Sequence, residues 1–103
     1  MRYGLFAVYD AQVKTFMRPF YGRTVGEAER TFGDAVRNPE SDWAKHPQDY
    51  SLFKLGEFDD ESGLLVSEVA PVQCCLALQF APIENLSNPT VVYERDGARK
   101  VVV

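Results

Sequence analysis

The sequence predicts an α+β fold: a small antiparallel sheet of four to five strands with one main amphipathic helix packed on one face. Three stretches carry that expectation. Arg2 to Tyr9 alternates as a strand, residues 25 to 37 keep helical spacing, and residues 46 to 65, HPQDYSLFKLGEFDDESGLL, have the pattern of a β-hairpin.

In the first strand Tyr3, Leu5, Ala7 and Tyr9 fall on one side and Gly4, Phe6 and Val8 on the other. Both sides are rich in apolar residues, which predicts a central strand with each face at least partly covered. Asp10 to Lys14 reverses the chain, and Thr15 to Tyr21 is again β-rich. Pro19 offers no ladder donor, so this second strand is expected at an edge or to end early. Thr24-Val25-Gly26-Glu27 has capping-box form, with Val25, Ala28, Phe32, Ala35 and Val36 on one helical stripe after it. Asn38-Pro39 ends that helix, because the residue before a proline is driven out of the helical region. A short helical turn within Glu40 to Lys45 places Trp43 at the edge of the core.

In Tyr50 to Phe58 simple alternation puts Tyr50, Leu52, Lys54, Gly56 and Phe58 on one face. Asp59 to Gly63 supplies the turn and Leu64 to Val66 the return. From Val69 to Phe80 the alternation is weak, and strand is preferred to helix. Residues 1–82 are read as a single α+β domain. Residues 83–103 are read as a C-terminal extension, whose Asp96-Gly97 between β-rich flanks predicts a further β-hairpin used in self-association.

With 46% hydrophobic and 25% charged residues, the 103-residue chain has the composition of a folded globular domain rather than a disordered one. Its apolar runs are far shorter than the roughly 20 residues that cross a bilayer, and its start lacks the apolar core of a secretory leader. A cytoplasmic protein without membrane contact is expected. There Cys74 and Cys75 stay reduced and act as packing residues. The net charge of −4 is unevenly spread: residues 1 to 37 hold six basic against four acidic side chains, and residues 38 to 82 two against eight. An acidic total counts against a dedicated nucleic-acid binder but leaves a basic face open in the first 37 residues.

No catalytic or metal-binding constellation emerges. The one histidine, His46, has no companion nucleophile, and the seven glycines form no phosphate loop. Asp59, Asp60 and Glu61 read as a solvated turn. The chain is therefore expected to be no enzyme and to need no cofactor. Its thirteen per cent of aromatic residues is the outstanding feature. A small core accounts for most of them. One segment, however, interleaves rings with cations in the order Lys14, Phe16, Arg18, Phe20, Tyr21, Arg23. That alternation suits a single strand of nucleic acid, whose bases stack on rings while its phosphates meet cations.

The stretches MRYGLFAVYD, AVRN and HPQDYSLFKLGEFDDESG together resemble the small non-structural protein of gokushovirus-type microviruses, tailless phages with single-stranded DNA genomes. The resemblance covers about residues 1 to 80. It implies a protein made in the host bacterial cytoplasm, left out of the virion, that binds DNA and helps switch replication toward single-stranded genome synthesis and packaging. The leading expectation is thus single-stranded DNA binding by a homo-oligomer through Lys14, Arg18, Tyr21, Arg23, Phe53 and Lys54. The alternative is a protein-interaction module that engages the viral replication initiator, a capsid precursor or a host factor through its acidic middle and an open sheet edge.

Overall fold

A computed structural model of the chain describes residues 1–81. It holds five strands and two helices in the order β1 (Arg2–Asp10), β2 (Thr15–Phe16), β3 (Phe20–Gly22), α1 (Val25–Arg37), α2 (Asp42–Lys45), β4 (Tyr50–Asp59) and β5 (Leu65–Leu76). The strands form one antiparallel sheet in the order β2-β1-β4-β5, with β3 also paired to β1. The expected fold class is the observed one. The hairpin expected within residues 83–103 lies outside the described residues.

β1 is the central strand. One of its edges pairs along its whole length with β4, from Arg2 opposite Asp59 to Asp10 opposite Tyr50. Its other edge is shared: β2 faces Tyr9 and Asp10, and β3 faces Gly4 to Phe6. Pro19 separates these two short pieces, as a residue without an amide hydrogen must in a ladder. The break is narrow, because the Met17 amide still donates to the Val8 carbonyl at 2.7 Å.

β4 and β5 make the expected hairpin. Gly63 takes the left-handed conformation (φ 77°), its amide donates to the Asp59 carbonyl at 2.8 Å, and the Asp59 carboxylate accepts the Glu61 amide at 2.9 Å. The Glu61 amide first, then the Met1 ammonium and Ser62, hold the Asp59 carboxyl below its ordinary range.

The face assignment of β4 needs correction. Phe6 lies opposite Lys54 but Leu5 lies opposite Gly56, so Leu55 is an extra residue, a β-bulge. Leu52 and Lys54 consequently share the face of Phe6 and Val8, whereas Gly56 and Phe58 share the face of Leu5 and Tyr3. Strict alternation had put all four together. β5 has a larger interruption: Ser67 pairs with Gly56 and Val72 with Lys54, leaving Glu68 to Pro71 looped out of the ladder. Pro71 falls where no ladder donor is required.

α1 covers the Phe6 face. Its bounds are those the spacing predicts, and Ala28, Phe32, Gly33 and Val36 are buried. Thr24 caps it through its hydroxyl, which accepts the Glu27 amide at 3.0 Å. The return bond differs from a regular capping box, since the Glu27 carboxylate accepts the Arg23 amide, at 2.7 Å, one residue before the cap. Phe6, Val8, Phe32, Val36 and Leu52 are the largest fully buried side chains, and Cys75 and Ala77 complete the cluster. Trp43 plugs its edge as expected, 5.3 Å from the Phe32 ring and 6.2 Å from Tyr50.

The strand expected over Val69 to Phe80 ends at Leu76. Ala77–Gln79 is a single 3-10 turn that swings the Phe80 ring onto Gly33 of α1, where an added Cβ would lie 2.7 Å from that ring. Arg37 sits over the Phe80 ring, 5.3 Å from its centroid. The chain thus folds back over the helix after β5.

Candidate functional site

The face of the sheet opposite α1 has an unusual composition. The register assigns Tyr3, Leu5, Ala7 and Tyr9 of β1 to it, together with Phe16 of β2 and Tyr21 of β3. β4 adds Ser51, Phe53, Gly56 and Phe58, and β5 adds Leu65, Ser67, Gln73 and Leu76. None of these residues carries a charge. The solvent side of an antiparallel sheet is ordinarily polar, so an uncharged aromatic face marks a surface that meets something other than water.

Five of its six rings fall into two groups. Tyr9, Phe16 and Phe53 form a triangle, with centroids 4.9 Å apart for Tyr9 and Phe16, 5.4 Å for Phe16 and Phe53, and 6.1 Å for Tyr9 and Phe53. The last two contacts are edge-to-face, the favoured aromatic geometry. Tyr21 and Phe58 form a second group at 5.7 Å. Phe16 is 40% exposed and Tyr21 57%, while Ala7 beneath the rings is fully buried.

The six residues selected from the sequence do not gather at one place. Tyr21 and Phe53 lie on the uncharged face, one in each ring group. Lys14 sits in the reversal after β1 with a positive φ of 60°, and Arg18 in the link between β2 and β3. Both flank Phe16 in sequence, and neither joins an ion pair among the described residues.

The other two cations are engaged within the protein. Arg23 holds Glu27 by two bonds of 2.8 and 3.1 Å, which raise the guanidinium pKa and lower that of the carboxyl. Lys54 lies on the α1 side, with its ammonium 3.1 Å from Glu57 and 4.0 Å from Glu68. Glu57 also accepts from Arg2 at 3.0 Å; Lys54 first and Arg2 second hold its carboxyl below the usual range. Phe20 belongs to the core side, with its ring 6.0 Å from Phe6.

Tyr9 and Phe58, not selected from the sequence, are on the face because of strand pairing. The alternation of β1 already put Tyr9 beside Tyr3, Leu5 and Ala7. What was missing was the Leu55 bulge that turns Phe58 to the same side.

The acids lie elsewhere. At the hairpin tip Asp60 meets the Met1 ammonium at 2.6 Å, and Asp10, Asp42 and Asp49 surround the Tyr50 hydroxyl, whose pKa is raised by burial first and by those carboxylates next. No group of His, Cys, Asp and Glu is arranged to hold a metal among the described residues. Cys74 and Cys75 are free thiols, and burial pushes Cys75 up to about 11, helped by the nearby Glu29. Among the described residues no helix is long and apolar enough to cross a membrane.

Neither a curated protein nor a solved structure matches the chain. A family model does match, over residues 3–80, nearly the whole of the described fold. The chain therefore belongs to the Phage ORF5 protein family, and at the level of that family it is a small non-structural phage accessory protein.

Proposed function

We propose that this chain binds single-stranded DNA on the uncharged face of its sheet, as an accessory protein of a gokushovirus-type microvirus acting in the host bacterial cytoplasm. Its part in infection is to hold genome strands during the switch toward single-stranded synthesis and packaging. One observation supports this reading above the others: a sheet face of nine half-buried or exposed apolar and aromatic side chains, with Lys14 and Arg18 two residues to either side of its Phe16 in the chain. Ring faces accept bases, and cations beside such rings meet phosphates.

The acidic total does not oppose this arrangement, because charge is segregated. The acids sit at the hairpin tip, around Tyr50 and on the α1 side, and none is among the strand residues of the open face. Titrating the protein into a fluorescein-labelled oligothymidylate at low and moderate salt tests the reading. Saturable binding is expected, weakening as salt rises. Arg18→Ala should flatten the log–log salt slope by about 0.7, the loss of one phosphate contact on a single strand. Arg23→Ala and Lys54→Ala should leave the slope unchanged, since both cations are held by the protein's own carboxylates. Absence of binding at low salt would overturn the proposal.

A second reading has its own support. Among the described residues β5 is an edge strand on which Leu65, Val66, Val69 and Val72 are exposed, and such an edge recruits another strand. In that reading the protein engages a replication initiator, a capsid precursor, a host factor or another copy of itself. Light scattering of the purified chain and recovery of a stoichiometric partner from infected cells distinguish these outcomes from a monomer that binds DNA alone.

A further inference from the structure

We infer that Gln73 is the base-reading residue of the open face and gives the bound single strand a preference for adenine. This rests on the single-stranded DNA reading above and adds to it the side chain that discriminates between bases.

Gln73 reaches the open face through an irregularity of β5. Leu52 lies opposite Cys75 but Phe53 lies opposite Gln73, so Cys74 is an extra residue, a β-bulge. Under strict alternation Gln73 would share the side of Cys75, which is buried in the core cluster. The bulge turns it to the other side, where its cross-strand partner is a ring.

Directly opposite residues on one face of an antiparallel pair have Cβ atoms about 4.5 to 5.5 Å apart. The Gln73 amide is therefore within reach of the edge of a base that lies against Phe53, which belongs to the triangle with Tyr9 and Phe16. Gln73 is exposed, and among the described residues its side chain makes no hydrogen bond. Gln79, six residues later, is by contrast engaged: its side-chain oxygen accepts the Leu76 amide at 2.6 Å. The two serines of the face are placed differently. Ser51 is 9% exposed, and Ser67 lies opposite Gly56, which has no ring to hold a base. Of the three, only Gln73 stands opposite an aromatic side chain.

A carboxamide presents an acceptor and a donor side by side, where a carboxylate could only accept and an ammonium only donate. Adenine offers the complementary pair on two edges, its N6 amino group with N7 and the same amino group with N1. On the N7 edge guanine has two acceptors, and on the matching edges thymine has one acceptor beside a methyl group and cytosine a donor alone. Adenine is thus the base that the amide can hold by two bonds whichever of these edges meets it.

Displacement of a labelled oligothymidylate by unlabelled oligodeoxyadenylate or oligothymidylate of equal length tests this, with the full wild-type chain, Gln73→Leu and Ser67→Ala. Both positions are exposed, and melting curves check that the fold is kept. The quantity compared is the ratio of adenylate to thymidylate affinity, because the stacking of adenines on one another in the free strand cancels between wild type and variant. Gln73→Leu should lower that ratio by about 5- to 150-fold, the discrimination of one bidentate contact to a base. Ser67→Ala should leave it unchanged. A ratio that survives Gln73→Leu, or that falls equally in Ser67→Ala, overturns the assignment to Gln73 while leaving DNA binding in place. No binding of the labelled strand at low salt overturns both.

Discussion

The two faces of the sheet invert the usual division of labour. The face under α1 holds the fully buried Phe6, Val8 and Leu52, yet it also carries the charges, with Lys54, Glu57 and Arg2 in contact where the helix does not reach. The opposite face, which an antiparallel sheet normally turns to water with polar side chains, has rings and no charge. The first face is organised around folding. The second turns outward more apolar surface than the solvent side of an antiparallel sheet ordinarily does, and the proposed binding is assigned to it for that reason.

Substitutions on the two faces should separate stability from binding. The largest stability loss is expected at Phe32, which is 1% exposed and touches Trp43 and Phe80. Phe32→Ala should cost about 3 to 5 kcal/mol in urea unfolding. An unchanged midpoint would dissolve the contrast from the core side.

Gly56→Ala comes next. The clash with the Val66 backbone cannot be relieved by rotating a side chain, so the β4–β5 pairing must shift, at about 1 to 3 kcal/mol. Hydrogen exchange should show the loss concentrated in that hairpin. Thr24→Ala removes the α1 cap and should lower stability by about 1 kcal/mol without altering DNA affinity, because the cap lies on the core side.

The smallest effect concerns pH. Glu57 titrates below its ordinary value of 4.5 because Lys54 and Arg2 bind its charged form. A carboxyl depressed in the folded state contributes stability that is present above its unfolded value and is lost as pH falls through its folded one. Glu57→Gln should therefore be less sensitive than wild type to acid below about pH 4.5, seen as converging unfolding midpoints in the two proteins. Equal acid sensitivity would show that the charged rim of the core face is not coupled to folding.

Local signals in the sequence were sufficient for much of this fold. α1 has the bounds that Thr24 and Asn38-Pro39 announce, and the β4–β5 turn follows from Gly63. Features set by pairing between strands were hidden. Leu55 is an ordinary strand residue until its partner strand shows that nothing lies opposite it, and without that bulge Phe58 is assigned to the wrong face. Phe80 continues the weak alternation of β5, yet its place is decided by the space over Gly33.

The uncharged face is legible to the same extent: Tyr21 and Phe53, selected by residue type, lie on it. That Arg23 and Lys54 are engaged by Glu27, Glu57 and Glu68 is a matter of three-dimensional neighbours, and so is the grouping of five rings into two clusters. Lys54 shows the limit most clearly, since neighbours in sequence with Phe53 point to opposite faces of a strand.

The most direct test of the account is to map backbone amide chemical shifts of the full chain during titration with a single-stranded oligothymidylate. The account predicts shifts concentrated at Ala7, Tyr9, Phe16, Tyr21, Phe53 and Phe58, with α1 largely unaffected. Shifts confined to α1 or to the β5 edge, or none at all, would contradict it.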